Sequence, residues 1–334
     1  MKINNKIFVY AIFWSFIYTI YPWVDLLVAE NFSDHWQTIE RFSRTRVVHN
    51  TSLQSFIFEE FSYEILMIKI TDIISFFRPE IFIEKRNFSF TQPFPISNNV
   101  ELSIQFITFY ILLVWTVFLF KRMAIIPAIL LLLHPVAIDM HHSIYQTSLA
   151  FTLIIIGSFS KNKIIHYLLI FIAPLIHNSA FMLTCIILIN NFIVKKLIKS
   201  KLQFFSLLFG TAVVLFLCIM LLSYMVEDGS ATVAKSIFTY EATSIVKVFF
   251  YCLILCMQLL HSKDYLKKHY LIVQTLILIV PLSFFTPFAF RFAAGLWPLF
   301  VYSVWDMSKD KRIFALALWI INLCYVYLVW TSKI

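Results

Sequence analysis

The chain has 334 residues, of which 60% are hydrophobic, 18% aromatic and 13% charged, with only four glycines. That balance excludes a water-soluble domain of this size, because too few polar side chains remain to cover its surface, and it makes the bilayer the solvent. The net charge of +9 does not imply nucleic acid, since the placement of the basic residues accounts for it.

Apolar runs of near-spanning length fall at 7–22, 102–120, 124–140, 144–159, 164–176, 178–194, 203–226, 246–261, 270–288, 289–307 and 313–331. They predict an all-α fold, a polytopic transmembrane bundle of about 10–11 spans, forming a single integral membrane domain over residues 1–334. Runs shorter than the roughly 20 residues of a full crossing are expected to be re-entrant or merged. The first run, Ile7 to Pro22, follows two lysines as a signal peptide would. It lacks a small-x-small cleavage site and is rich in aromatics, so it reads as an uncleaved span.

A large outer segment, residues 23–101, follows the first span. Within it Phe56, Ile57, Phe61, Ile65, Leu66, Ile68, Ile73 and Ile74 recur at roughly helical spacing between charged residues. This predicts an amphipathic helix on the outer leaflet or against the bundle. The prolines at 79, 93 and 95 make 78–99 a loop leading into the second span. A second, shorter outer loop covers 227–243. All five cysteines lie in predicted spans and act as small apolar fillers, with no disulfide or zinc spacing.

With the N-terminus inside, the inner segments hold 16 of the 27 basic residues and 3 of the 18 acids, so the inner face carries +13 and the outer face −4. The short connections Lys121-Arg122, Lys161 to Lys163 and Lys195 to Lys201 decide this orientation, because long loops obey the positive-inside rule weakly. The same topology places His141, His177 and Arg291 at the outer face, in or beside apolar stretches where ionisable groups are costly.

Each of these has a functional and a plainer reading. His141 and His142, within Asp139 to Gln146 at the start of the fourth span, are adjacent and so face different sides of a helix. That spacing does not chelate a metal and suits a polar rim for sugar hydroxyls, or a solvated loop end. His177 follows Pro174 in Ile176-His177-Asn178-Ser179-Ala180, at the turn of a helical hairpin. It takes a proton near neutral pH or binds an anion when charged, or it simply bonds a carbonyl. Arg291 stands among Phe288, Phe290 and Phe292 after Pro287. Its fork of donors fits phosphate oxygens, and snorkelling to headgroups is the alternative. Ala293, Ala294 and Gly295 would permit close helix approach and bury one face of Arg291.

The order of features resembles the EpsG family of polysaccharide-assembly proteins, related to Wzy-type O-antigen and capsule polymerases and to GT-C integral-membrane glycosyltransferases. The resembling pieces are Ser33-Asp34-His35-Trp36 soon after span one, Phe58-Glu59-Glu60-Phe61-Ser62-Tyr63-Glu64-Ile65-Leu66 in the same loop, Tyr145-Gln146 before Leu149-Ala150, the Ile176 to Ala180 motif, and Arg291 with Pro298 downstream. The histidine segment is the most specific of them. The chain departs from the family at Tyr145, where arginine often precedes the glutamine, and its aspartate motif lacks the usual glycine and tyrosines.

The resemblance implies polymerisation of undecaprenyl-diphosphate-linked oligosaccharide repeat units into O-antigen or capsule at the outer face of the bacterial inner membrane. It implies His177, with Asp34 or Glu60 as the carboxylate taking the acceptor proton, as the catalytic set. Arg291, His141, His142, Gln146 and Arg41 would bind diphosphate and glycan, Arg41, Arg44 or Arg46 replacing the missing arginine. No cofactor or metal is expected, and the partners would be the lipid-linked glycans, the bilayer, a chain-length regulator and a flippase. A polyprenol-linked glycan ligase or flippase, and a membrane O-acyltransferase, are the competing classes.

Overall fold

The computed structural model describes residues 5–21, 39, 42–43, 63–85, 94–142, 145–177, 179–194, 200–225, 245–283 and 289–330. The fold is all-α apart from one two-stranded ribbon among the described residues. The chain divides into two compact units, Met1–Ala180 with Val326–Ile334, and Phe181–Tyr325.

In the first unit, α1 (Asn5–Ile20), α2 (Tyr63–Phe77), β1 (Phe82–Lys85) and β2 (Phe94–Ser97) precede α3 (Asn98–Phe120). Then come α4 (Ile125–Leu132), α5 (Pro135–His142), α6 (Tyr145–Phe159) and α7 (Lys163–Ile176). Apart from α2, these helices overlap the apolar runs read from the sequence.

The hub is α3, which packs against α1, α2, α4, α5, α6 and β2. Ser97 caps it by accepting from the Val100 N–H at 3.3 Å, and Glu101 in the first turn suits the positive end of the helix dipole. At the other end Arg122 bonds the Phe118 carbonyl at 3.0 Å and lies over the Phe118 and Phe159 rings at 3.8 and 4.6 Å, pinning α3 to α6. Among the described residues α3 alone is long and apolar enough to cross a membrane. The pair α4 and α5 passes the same test together but bends by 64°. The single run expected at 124–140 is thus broken, with Pro135 opening its second half.

The stretch 78–99, expected as a loop, contains the antiparallel ribbon with Ile83 opposite Ile96. The ribbon is tied to α3 by reciprocal bonds, Asn98 N–H to the Ile81 carbonyl at 3.0 Å and Ile81 N–H to Asn98 Oδ1 at 2.9 Å. Pro95, which cannot donate to a ladder, is tolerated because each strand of a two-stranded ribbon has a free edge.

The most extensive helix pair is the α6/α7 hairpin. Asn162 starts α7 by accepting from the Ile164 and Ile165 N–H groups at 2.9 and 3.4 Å. Gly157 lets the helices close: a Cβ there would lie 3.1 Å from Ile170 Cγ1 and 3.2 Å from the His166 carbonyl.

The second unit contains α8 (Ala180–Ile189), running into a π turn (Asn190–Val194), α9 (Lys201–Met225), α10 (Ile245–Leu259), α11 (Lys263–Lys268) and α12 (Tyr270–Leu282). It continues with α13 (Ala289–Gly295), α14 (Trp297–Trp305) and α15 (Lys309–Trp330), of which it includes the part up to Tyr325. Here α12 is the hub, buried on nearly every side and packed against α9, α10, α11, α13 and α14. A helix apolar all round belongs in such a centre. Its one buried amide, Gln274, donates to the Leu208 carbonyl of α9 at 2.9 Å. The run expected at 289–307 is interrupted at Leu296, where α14 begins with Trp297-Pro298. Trp297 stacks on Trp319 of α15, centroids 4.9 Å apart and rings 8° from parallel.

Candidate functional site

His141, His142, Gln146 and His177 gather at one end of the α6/α7 hairpin. The reason is topological: a short turn joins the far ends of these helices, so the start of α6 and the end of α7 return to the same level.

Pro174 lies in the last turn of α7, and His177 leaves helical geometry at φ −154°, ψ 126° while its N–H still reaches the Ala173 carbonyl at 3.1 Å. The extended backbone turns its half-buried ring toward α6. Nε2 lies 3.3 Å from Thr147 Oγ1. Nδ1 accepts from the Ser179 N–H at 3.2 Å and lies 2.5 Å from Ser179 Oγ. A ring nitrogen that accepts from a backbone amide carries no proton, so the neutral ring holds its proton on Nε2, directed at Thr147. In this state His177 is a hydrogen-bond donor.

The histidine pair of α5 is buried, and neither residue forms the exposed rim or solvated loop end that the sequence suggested. His141 is fully enclosed and His142 nearly so. Nor do they part to opposite sides, because both meet the Tyr18 ring of α1. His141 stands edge-on at 5.9 Å and His142 stacks at 5.9 Å with 22° between planes. His141 also meets Trp115 of α3 at 4.4 Å, and neither of its ring nitrogens has a hydrogen-bond partner among the described residues.

The end of a broken helix leaves carbonyls that an apolar surrounding cannot solvate. Here hydroxyls satisfy them. Thr108 donates to the His141 carbonyl at 3.1 Å, Tyr145 to the His142 carbonyl at 2.7 Å, and Ser148 to the Met140 carbonyl. Thr152 accepts from the Trp115 indole at 2.9 Å, which fixes the wall of the His141 enclosure. Gln146 is half-buried beside Thr147 in the first turn of α6.

Arg291 belongs to the second unit, in the first turn of α13. The small residues after it, Ala293 and Ala294, are buried as expected, whereas Arg291 is exposed. Asp34, Glu60 and Arg41, with Arg44, Arg46, Asn178 and the second outer loop at 227–243, lie outside the described residues.

A polar cluster that the sequence reading passed over closes one end of α12. Asp306, at the C-terminus of α14, accepts from Lys268 Nζ at 2.9 Å and from His269 Nε2 at 2.8 Å. His261, Tyr265 and His269 stack in a column, with centroids 4.3 and 4.6 Å apart. Their spacing of four residues was the available signal. Burial pushes His269 below the usual histidine range against the pull of Asp306. Burial would raise Asp306, yet its bonds to His269 and Lys268 outweigh that and hold it below the ordinary carboxylate range.

Among the described residues no group of three or more His, Cys, Asp or Glu could hold a metal ion. Comparison with protein-family models, with curated proteins and with solved structures finds no match to this chain.

Proposed function

We propose that the chain is a polytopic membrane glycosyltransferase that joins undecaprenyl-diphosphate-linked repeat units into O-antigen or capsule at the outer face of a bacterial inner membrane. The observation that carries this reading is His177, held in the α7–α8 turn with Nε2 facing Thr147 and Nδ1 against Ser179. It is the centre of the motif on which the family resemblance is most specific, and a ring held by hydrogen bonds at both nitrogens suits a group that positions a sugar hydroxyl. The positive-inside charge pattern and the span-length α3 support the membrane setting.

In this reading the acceptor hydroxyl attacks the anomeric carbon of the donor glycan, the bond to the diphosphate breaks, and Asp34 or Glu60 takes the hydroxyl proton. Arg291 offers its guanidinium fork to the departing diphosphate, whose growing negative charge needs a counter-charge that does not titrate. Gln146 and Arg41 contribute to the surrounding binding site, while the buried pair His141 and His142 packs against Tyr18 and does not meet the glycan directly.

A second reading rests on His141. A histidine enclosed at the end of the second helix of an apolar pair also suits a membrane O-acyltransferase, which uses a histidine within a span. Deletion of the gene in its host, with surface polysaccharide run on a gel, separates the readings. Collapse of a ladder to one repeat unit, restored by the wild type but not by His177→Ala or Arg291→Lys, supports polymerisation. Loss of glycan from its anchor points to ligation or flipping, and an unchanged ladder with altered acetylation points to the acyltransferase.

A further inference from the structure

The helix α2 has two faces of opposite fate. Met67 and Thr71 are buried, with Thr71 Oγ1 2.9 Å from Ser103 Oγ of α3. One turn on, Asn99 Nδ2 of α3 donates to Ser75 Oγ at 3.0 Å and to the Arg78 carbonyl at 3.2 Å. The pairings 71 with 103 and 75 with 99 run in opposite directions along the two helices, so α2 lies antiparallel on α3. The other face of α2 carries Leu66, Ile70, Ile73 and Phe77, spaced i, i+4, i+7, i+11 on one stripe. Ile73 and Phe77 are 62% and 80% exposed, and the neighbouring Phe76 is 84% exposed. Such a contiguous apolar surface needs a partner.

The course of α3 identifies it. Asn99, Ser103, Phe106 and Tyr110 repeat the same i, i+4, i+7, i+11 spacing, so they share one face of α3. α2 covers the upper half of that face, and Phe106 and Tyr110 remain exposed below it. On a helix of spanning length, that exposed strip is where acyl chains lie. Lys121 and Arg122 mark the inner end of α3, and a hydrocarbon core of about 30 Å is crossed in about 20 residues. Counting up from Lys121 brings the outer acyl boundary to the first turn of α3, where Asn99 meets Ser75. Most of α2 then lies below the boundary, Phe76 and Phe77 lie at it, and the exposed Arg78 reaches headgroup phosphates.

We propose that α2 is immersed in the outer leaflet, its Leu66–Ile70–Ile73–Phe77 stripe against phospholipid acyl chains. It lies propped on α3, slanting into the leaflet with its N-terminal end deepest, because its 15 residues are longer than half the hydrocarbon core. Lys69 and Asp72 form an ion pair of 3.8 Å on the flank of the stripe. The inference rests on the membrane setting of the proposed function but not on the reaction.

The test is site-directed nitroxide labelling at Leu66→Cys, Ile73→Cys, Phe77→Cys and, as reference, Phe106→Cys. The background has its native cysteines replaced, and the full chain is reconstituted in phosphatidylethanolamine and phosphatidylglycerol vesicles. Collision with oxygen, which partitions into lipid, is compared with collision with a water-soluble nickel chelate. We expect oxygen to dominate at Leu66 and Ile73, with depth increasing from Phe77 through Ile73 to Leu66. Nickel dominating at Leu66 and Ile73, protection from both reagents, or a depth order running the other way would overturn the proposal. A lipid signature at Phe106 beside a watery α2 defeats this inference alone, whereas a watery Phe106 defeats the membrane setting as well.

Discussion

Thr147 Oγ1 and His177 Nε2 lie 3.3 Å apart across 30 residues of sequence, joining the first turn of α6 to the end of α7. A neutral hydrogen bond of this kind contributes about 0.5–1.5 kcal/mol. Thr147→Val keeps the shape and removes the acceptor, so polymer formation should fall by roughly 2- to 10-fold while Thr147→Ser stays near wild type. Equal activity of the valine and serine variants in a membrane assay would remove Thr147 from the site.

Arg291 is exposed on α13 and, in the proposed reaction, would carry the positive charge that meets the diphosphate. Lysine keeps the charge and loses the fork. Hydrogen bonds to charged groups are worth about 1.5–3 kcal/mol, so Arg291→Lys should lower turnover by about 10- to 100-fold with unchanged melting temperature. Near-normal turnover would undo the assignment.

His141 sets stability against function. Its two ring nitrogens, without a hydrogen-bond partner among the described residues, each carry a desolvation cost on the order of 1 kcal/mol or more, offset in part by its contacts with Trp115 and Tyr18. His141→Leu, close in volume, should therefore melt in detergent no lower than wild type and still lose activity. A variant that is both less stable and fully active would make His141 a packing residue.

Gly157 sits where a Cβ would press on Ile170 Cγ1 at 3.1 Å, the His166 carbonyl at 3.2 Å and Leu169 Cβ at 3.3 Å. Alanine gains about 1 kcal/mol of helix propensity against an overpacking cost of about 1–3 kcal/mol, so Gly157→Ala should be neutral to mildly destabilising. Gly157→Val adds bulk without that gain and should lower the melting temperature clearly. A valine variant melting with the wild type would contradict the close approach of α6 and α7.

His269 and Asp306 predict acid sensitivity. Both groups bind a proton less readily in the folded chain than in the unfolded one. The stability tied to His269 is full above about pH 6.5 and is lost as pH falls, and that tied to Asp306 follows below about pH 4. Replacing His269 by Gln should flatten the decline of melting temperature between about pH 7 and pH 5. An unchanged slope would place the acid-sensitive group elsewhere.

The chain's own order of residues determined most of the helices, though not the breaks inside the runs at 124–140 and 289–307. Apolar runs bounded by Lys121-Arg122, by the Ser97 and Asn162 caps and by prolines carry local signals, because propensity, capping and hydrophobic period act within a few residues. The turn at His177 was legible for the same reason, since Pro174 ends its helix.

What only the tertiary structure decided depends on partners far away in sequence. His141 and His142 looked like an exposed rim because nothing near them announces that Tyr18, Trp115 and Thr108 enclose them. Arg291 looked half-buried because its small neighbours allow approach, but the face that α13 turns inward belongs to Ala293 and Ala294. The ribbon at 82–97 and the bond of Asp306 to His269 were hidden in the same way. Sequence fixes which groups are apolar and which are polar, and long-range packing decides which polar groups are taken out of water and who meets them there.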